Sequence, residues 1–329
     1  MTSSCLAADY PLNYRTSYTD RRTFVANADD GRTQRAGMSA AAMTALVTGS
    51  TDGIGLHTAR RLVAAGHSVI LHGRDSGRLE RAMSSVESHC VDGARVYGYV
   101  RDFKSLAECR ALAEEVKRDF RGKDLSMLFN NAGVYMEEQQ TSDDGHEMTF
   151  AVNVLAPYVL TEALLPTLVE TAERTGVKSS VLNVASISAA PRVDFENIRA
   201  EKRFSSHGSY SLSKACMKAF SYELFDRLVD GRILGGEANH ERNLNVFSCD
   251  PGTVNTKMLL AGWGRCGIET YEANDQFDIM VRDIERNSRE RNGYYFIGAS
   301  PQTRRSQPGD AEQAKLWDLM ERETGVVYV

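Results

Sequence analysis

The chain has 329 residues, 42% hydrophobic and 25% charged, with 26 Gly and 7 Pro. This excludes a mainly disordered chain, a collagen-like repeat and a disulfide-stapled miniprotein, and leaves room for two domains or one large α/β domain. The 39 Lys+Arg against 44 Asp+Glu give a net charge of −5, without the basic excess of a nucleic-acid binder.

Residues 1–43 differ from the remainder. Up to Gly37 they hold no Lys and no Glu, only Arg15, Arg21, Arg22, Arg32 and Arg35 against Asp9, Asp20, Asp29 and Asp30. No strand or helix period stands out, so the segment reads as a flexible N-terminal extension. Recurrent Arg and Ser keep an organelle-targeting role open, the four Asp speak against it, and an over-extended start before Met38 or Met43 is a third reading.

From residue 44 on, strand and helix signals alternate. Residues 44–48 (TALVT) read as a strand running into Gly49-Ser50-Thr51-Asp52-Gly53-Ile54-Gly55, followed by a helix with Ala59, Leu62 and Val63 on one face. Strand 68–72, helix 78–89, strand 94–100, helix 104–120 and strand 125–129 come next. A long helical stretch covers 144–173, where Pro157 and Pro166 are expected to bend or divide it. Strand 178–184, helix 209–229, strand 245–248, strand 294–297 and helix 310–323 complete the pattern, with 195–207 and 231–242 as surface loops. Short apolar strands alternating with helices imply an α/β fold with a doubly wound parallel sheet in a single domain over residues 44–329.

Glycines between a strand and a helix permit a tight turn and let backbone N–H groups reach a phosphate at the helix N-terminus. The spacing here is G-x-x-x-G-x-G, and alone it also suits an ordinary strand–helix turn. Arg74 stands 19 residues beyond Gly55, where dinucleotide folds often place an acid for the ribose 2′-hydroxyl. A guanidinium suits a 2′-phosphate, which points to NADP(H) ahead of NAD(H); a solvated surface Arg is the plain alternative. Asp75 reads as a helix N-cap. Tyr210-Ser211-Leu212-Ser213-Lys214 sets a phenol and an ammonium on one helix face, a pairing that favours the phenolate and proton exchange with a substrate oxygen. The remaining titratable residues suggest little. The seven His show no metal-ligand spacing, with His72 read as a strand-end residue near the cofactor and His207 as a loop residue. The six cysteines form no C-x-x-C pair and read as free thiols in a reducing, cytoplasmic setting. No run of about 18 apolar residues occurs, so no transmembrane segment is expected. The cluster at residues 286–291 reads as a solvated helix end.

In combination these pieces resemble the short-chain dehydrogenase/reductase family: Thr48 to Gly55, Asp102, Asn130-Asn131-Ala132-Gly133, Asn153, Ser186, Tyr210-x-x-x-Lys214 and Pro251-Gly252, in that order. The resemblance implies a Rossmann fold that transfers a hydride between NADP(H) and a small-molecule carbonyl or alcohol. It casts Asn153, Ser186, Tyr210 and Lys214 as catalytic, with Tyr210 as the general acid/base. It casts Gly49, Ser50, Thr51, Asp52, Gly53, Ile54, Gly55 and Arg74 as cofactor-binding. Asp102 with Phe103, Asn131, Ala132, Gly133, Pro251, Gly252, Thr253 and Thr256 join them, along with Tyr210 and Lys214 themselves. Ser188 rivals Ser186 for the oxygen-binding role. No metal is implied, NAD(H) remains a second cofactor choice, and a homodimer or homotetramer fits. Residues 194–210, Tyr295-Phe296, Ala314 to Trp317 and Thr324-Gly325 resemble the retinol-dehydrogenase-like branch, implying a lipophilic substrate, although 1–43 carries no membrane-anchor pattern. Phe195, Phe204, Trp263 and Tyr271 either line a substrate pocket or pack under loops. Reduction of a C=C bond and a non-catalytic NADP-binding sensor or scaffold are the alternatives.

Overall fold

In the structure, a computed structural model, residues 42–91, 93–234, 243–286, 293–298, 300–302 and 308–329 are described. Strands β1 (Thr44–Val47), β2 (Ser68–Gly73), β3 (Val96–Val100), β4 (Met127–Asn130), β5 (Ser179–Val184), β6 (Leu244–Asp250) and β7 (Tyr295–Ile297) pair in parallel in the order β3-β2-β1-β4-β5-β6-β7. Beyond them, β8 (Ser300–Gln302) pairs antiparallel with β7. The expected all-parallel sheet therefore ends in a short antiparallel hairpin. Its edge strand carries Pro301, a residue suited to an edge because it donates no ladder hydrogen bond.

Successive strand residues face opposite sides, and both sides are apolar. Leu46, Ile70, Leu128, Val181 and Val246 enter one core; Val47, Leu71, Phe129, Leu182 and Phe247 enter the other. Such continuous hydrophobic runs are what a sheet covered on both faces requires. Helices α1 (Gly53–Ala64) and α2 (Ser76–Glu87) cover the second face, and α3 (Leu106–Asp119) covers the first.

The long helical stretch starts later than expected. Glu147 caps α4 (Met148–Phe150) by accepting from the Thr149 and Phe150 N–H groups. Asp144 lies outside and caps α3 instead, accepting from Leu106 N–H at 2.7 Å. A π-turn, Ala151–Leu155, then leads into α5 (Ala156–Thr175), which runs through Pro166 without dividing. Pro157 stands two residues beyond that π-turn, in the first turn of α5; it has no N–H to donate to the residue four back, so the wider turn falls where an α-helical hydrogen bond is unavailable. Met148–Thr175 is long and apolar enough to cross a bilayer by composition, but 83% of its most apolar window is buried in the fold. Core packing accounts for that apolarity.

Helix α6 (Ser206–Val229) begins three residues before the expected start because Ser205 caps it through Gly208 N–H. His207 thus sits in its first turn, not in a loop. Three further helical elements had no counterpart among the expected ones: α7 (Lys257–Trp263), a 3₁₀ turn at Thr270–Glu272, and α8 (Asp275–Arg286), which packs Phe277, Met280 and Val281 into the second core. The N-terminal extension up to residue 41, most of the loop at 231–242 and the charge cluster beyond Arg286 lie outside the described residues.

Helix α9 (Asp310–Thr324) and the chain after it close the first face. Trp317 is fully buried against Tyr158, Phe220 and Tyr328, and its indole N–H donates to Glu321. Tyr328 donates to the Tyr158 carbonyl at 2.8 Å, and Leu234 N–H donates to the Val329 carbonyl at 2.9 Å. Val326 and Tyr328 therefore belong to the core. Replacing Trp317 by Ala is expected to cost about 3–5 kcal/mol in chemical denaturation, the range for a buried aromatic truncated to Ala. A loss under about 1 kcal/mol would show that this segment docks without supporting the fold.

Candidate active site

Helices α1 and α5 leave the sheet in opposite directions, so a crevice opens at the carboxyl ends of β1 and β4, the switch point of the strand order. Thr48 holds its floor. The hydroxyl donates to Phe129 O at 3.0 Å and accepts from the N–H groups of Asn131 and Ala132, both at 3.0 Å. Asn131 returns the connection by donating to Thr48 O at 2.9 Å, and Gln276 of α8 donates to the Asn131 side-chain oxygen. The phosphate loop lies against this junction. Gly49 takes φ +63° and Gly53 φ +57°, the left-handed region that favours glycine. A Cβ on Gly55 would stand 2.5 Å from the Asn131 side-chain nitrogen and 2.8 Å from the Gly49 carbonyl oxygen. Only hydrogen fits there.

A cavity of about 530 Å³ runs along the crevice. It is lined by Gly49, Thr51 to Gly55, Arg74, Asp102, Phe103, Asn131 to Gly133, Ser186, Tyr210, Lys214, Pro251 to Thr253 and Thr256. Two expected site residues do not line it. Ser50 is buried, its hydroxyl accepting from His72 N–H at 3.0 Å, so it ties the loop to β2. Asn153 is also buried, in the π-turn; its amide accepts from Val134 N–H at 2.7 Å and donates to Val134 O and Ser213, both at 3.0 Å.

At the β2 end, Arg74 is exposed, and among the described residues its guanidinium makes no ion pair or hydrogen bond. Asp75 caps α2 through Arg78 N–H at 2.7 Å, as expected. Asp102 accepts from Lys104 N–H at 3.1 Å and does not cap α3, whose N-cap position is Ser105. Asp52 caps α1 through Gly53 N–H and gathers two cations, Arg78 at 3.2 Å and Lys257 at 2.6 Å. Burial would raise its carboxyl, but Lys257, the Gly53 N–H and Arg78 outweigh that and hold it below the usual value.

At the other end, Ser186 and Tyr210 line the cavity together, near enough for a Ser186 hydrogen bond to favour the Tyr210 phenolate. Ser188 also lines the cavity and donates its backbone N–H to the Ser186 hydroxyl at 3.1 Å. Lys214 is 4% exposed, donates to Val184 O at 2.8 Å and lies 5.5 Å from the Tyr210 ring centre. Burial dominates the ionisation of both. It pushes the Tyr210 phenol up to about 12, with the Ser186 bond lowering it and the Asp250 charge raising it further. It pulls the Lys214 ammonium down to about 8, against the neighbouring Cys249 and Asp250.

Asp250, which lines the cavity, and Tyr135, beside it, went unnoticed in the sequence. Asp250, at the end of β6, is a buried carboxylate that burial raises, while Ile187 and Gly252 N–H groups, Lys214 and Lys218 stabilise its charge. Tyr135 bonds His207 Nδ1 at 2.8 Å, and both rings meet Trp263, whose centroid is 5.7 Å from that of Tyr210. Of the four aromatics considered for a substrate pocket, Trp263 lines the cavity; Phe195 packs under Lys315 and against the first core, and neither Phe204 nor Tyr271 reaches the cavity. Asp250 follows an apolar strand with no pattern to mark it, and Tyr135 and Trp263 become neighbours only through the fold. Of the six cysteines the five that are described are free, and no group of three metal-ligating side chains occurs among the described residues.

Comparison with known proteins accords with this arrangement. Residues 43–261 match the short chain dehydrogenase family. Human polyprenol dehydrogenase is 32% identical over 215 residues, 65% of this chain and 61% of that protein; mouse retinol dehydrogenase 13 is 34% identical over 217 residues, 65% of this chain and 59% of that one. The chain thus aligns with about three fifths of these relatives' length. Among solved structures, an uncharacterised protein from Mycobacterium Paratuberculosis superposes with a TM-score of 0.68 at 24% identity, covering 87% of this chain and 95% of that one. NADPH-bound carbonyl reductase from chicken fatty liver gives a TM-score of 0.57 at 20% identity over 78% and 97%. At such identities the structures speak to the Rossmann fold alone. The chain belongs to the short-chain dehydrogenase family.

The Thr48 junction can be tested directly. Thr48→Val keeps the shape but strands two part-buried N–H donors, and is expected to cost about 2–6 kcal/mol in denaturant unfolding, from about 1–3 kcal/mol per unsatisfied group. Thr48→Ser, which keeps the hydroxyl, should lose about 1 kcal/mol or less. A loss under about 1 kcal/mol in Thr48→Val would show that the hydroxyl does not hold the junction.

Proposed function

We propose that the protein is an oxidoreductase that prefers NADP(H) and interconverts a carbonyl and the corresponding alcohol on a lipophilic small molecule. The observation that carries this reading is that Ser186, Tyr210 and buried Lys214 meet at one end of a cavity, with Lys214 5.5 Å from the Tyr210 ring, while the other end opens on Arg74, which has no partner among the described residues. The cavity residues suit a dinucleotide: a helix N-terminus behind left-handed glycines for the pyrophosphate, Asp102 and Phe103 for the adenine side, and Arg74 for a 2′-phosphate. Gly133, Pro251, Gly252, Thr253 and Thr256 would follow the nicotinamide half. When bound, the nicotinamide supplies or accepts the hydride.

The chain's own residues manage the proton. With its phenol held to about 12, Tyr210 carries its proton at neutral pH and donates it to the oxygen of a carbonyl substrate. Ser186 donates a second hydrogen bond to that oxygen and stabilises its developing charge. Lys214, beside the Tyr210 ring, offsets the phenolate left behind; its ammonium is present below about pH 8 and is lost above it. Asn153 fastens Val134 beside this group through both ends of its amide, and in our reading completes the relay between Lys214 and solvent. Val134, Ile187, Met258, Leu259 and Trp263 give the cavity an apolar lining, which supports a lipophilic substrate.

Tyr210→Phe is expected to lower kcat by about 10²–10⁴-fold, the range for loss of a positioned general acid, while NADPH affinity by fluorescence titration changes little. Full turnover in this variant on an identified aldehyde or ketone would overturn the mechanism, and a saturated C=C bond as product would overturn the reaction class. Arg74→Ala is expected to weaken NADPH binding about 10- to 100-fold, as for loss of charge-assisted bonds to a phosphate, and to leave NADH affinity nearly unchanged. Equal weakening of both would remove the 2′-phosphate assignment.

A further inference from the structure

His72, the penultimate residue of β2, is 3% exposed yet lines the cavity, and no step of the proposed reaction uses it. Its imidazole reaches two separate segments of the cofactor cleft. Nδ1 lies 3.2 Å from the Gly49 nitrogen in the phosphate loop, and Nε2 lies 3.0 Å from the Arg101 carbonyl oxygen at the exit of β3. Each partner can play only one part. A backbone N–H only donates and a backbone carbonyl only accepts, so Nδ1 must be bare and Nε2 must carry the hydrogen. The ring also stacks on Phe103, with centroids 4.2 Å apart and planes 19° apart, while Ser50 binds both backbone groups of His72.

We propose that His72 is a positioning residue, a neutral Nε2–H imidazole that struts the phosphate loop against the Asp102–Phe103 segment and so sets the spacing between the pyrophosphate and adenine ends of the cleft. This rests on the functional reading above only for the identity of the ligand. Ser50 anchors the loop to the backbone of β2, and the imidazole is what receives the Gly49 N–H. Gly49 N–H would face a void if the ring were lost, and Arg101 O would lose its donor. Protonation would act like a partial loss, since a second ring N–H would oppose Gly49 N–H.

The surroundings keep the ring neutral. The Asp102 carboxylate favours the imidazolium, as does the Arg101 carbonyl. The Arg101 guanidinium is turned to Glu108 and Glu115, and the phosphate loop presents only the uncharged Gly49 and Ser50. Burial outweighs these groups and pulls His72 from 6.5 down to about 4. With the folded value depressed, the ring stays neutral and the strut intact until pH falls to about 4; between 6.5 and 4 only the unfolded chain takes the proton, so there the fold loses stability while the strut itself holds.

The test uses the full chain and two variants. In the free wild-type protein, the imidazole ¹⁵N signals of His72 should report the Nε2–H tautomer and show no titration between pH 8 and pH 5. A ring that titrates between pH 6 and 7, or that carries its hydrogen on Nδ1, overturns the proposal. His72→Phe keeps the stacking and loses both bonds; it is expected to weaken NADPH and NADH by the same factor, about 5- to 50-fold for two hydrogen bonds. His72→Asn, whose carbonyl can still accept from Gly49, should recover to within about 3-fold of wild type. Lowered thermal stability with cofactor affinities within twofold of wild type in both variants would show a merely structural ring and overturn the proposal. If His72→Phe does not fold, the tautomer and the His72→Asn titration still decide. A wild-type protein that binds neither nicotinamide would overturn the functional reading instead, and the tautomer in the free protein would then judge the strut by itself.

Discussion

A crevice at a switch point poses a physical problem. Two adjacent strands send their chains in opposite directions, and the backbone groups just beyond them lose their ladder partners where water is scarce. The Thr48 hydroxyl answers this by donating once, to Phe129 O, and accepting twice, from Asn131 and Ala132. One side chain fills its whole hydrogen-bonding capacity. Everything that makes the cleft a cleft is built on that junction: Gly55 packs against Asn131, Gly49 against Ala132, and Gln276 braces Asn131 from α8.

The reactive end works by dehydration. Lys214 and Tyr210 are drawn in opposite directions by the same cause, since burial penalises the ammonium of one and the phenolate of the other. Each becomes easier to keep neutral, and each gains most from a partner that carries the opposite charge. Asp250 complicates this balance from below. Its carboxylate helps Lys214 keep its proton and opposes ionisation of Tyr210, so the tyrosine is held as an acid in the ground state.

The sequence made the parallel sheet legible because its strands are buried on both faces and its helices are amphipathic. The seven parallel strands stand where alternation put them, within two residues. What escaped has physical reasons. Helix α7 buries no residue and so has no apolar period to read. The start of the long helix was misplaced because Asp144 looks like an N-cap and is one, but for α3 across space. Strand β8 is three residues with a central Pro. At the site, the glycine loop, Ser186, Tyr210 and Lys214 announce themselves by type and spacing. Asp250, Tyr135 and the two contacts of His72 do not, because their partners are distant in the chain: 29 residues separate His72 from Arg101 and 72 separate Tyr135 from His207.

Charge at the cofactor end is arranged more finely than the net −5 suggests. Asp52 stands at the N-terminus of α1, where the helix dipole and the free N–H groups would serve any anion. It binds Arg78 and Lys257, yet these pairs are open to solvent, with side-chain exposures of 40%, 79% and, for Asp52 itself, 43%. Pairs of that kind are worth about 0–1 kcal/mol. Asp52 therefore prevents three like charges from facing one another without holding two of them firmly. A phosphate entering the crevice can draw Arg78 and Lys257 away from Asp52 at small cost, whereas Arg74 has no partner to leave among the described residues. Under the proposed function, discrimination among anions then falls to Arg74, and general attraction to the other two.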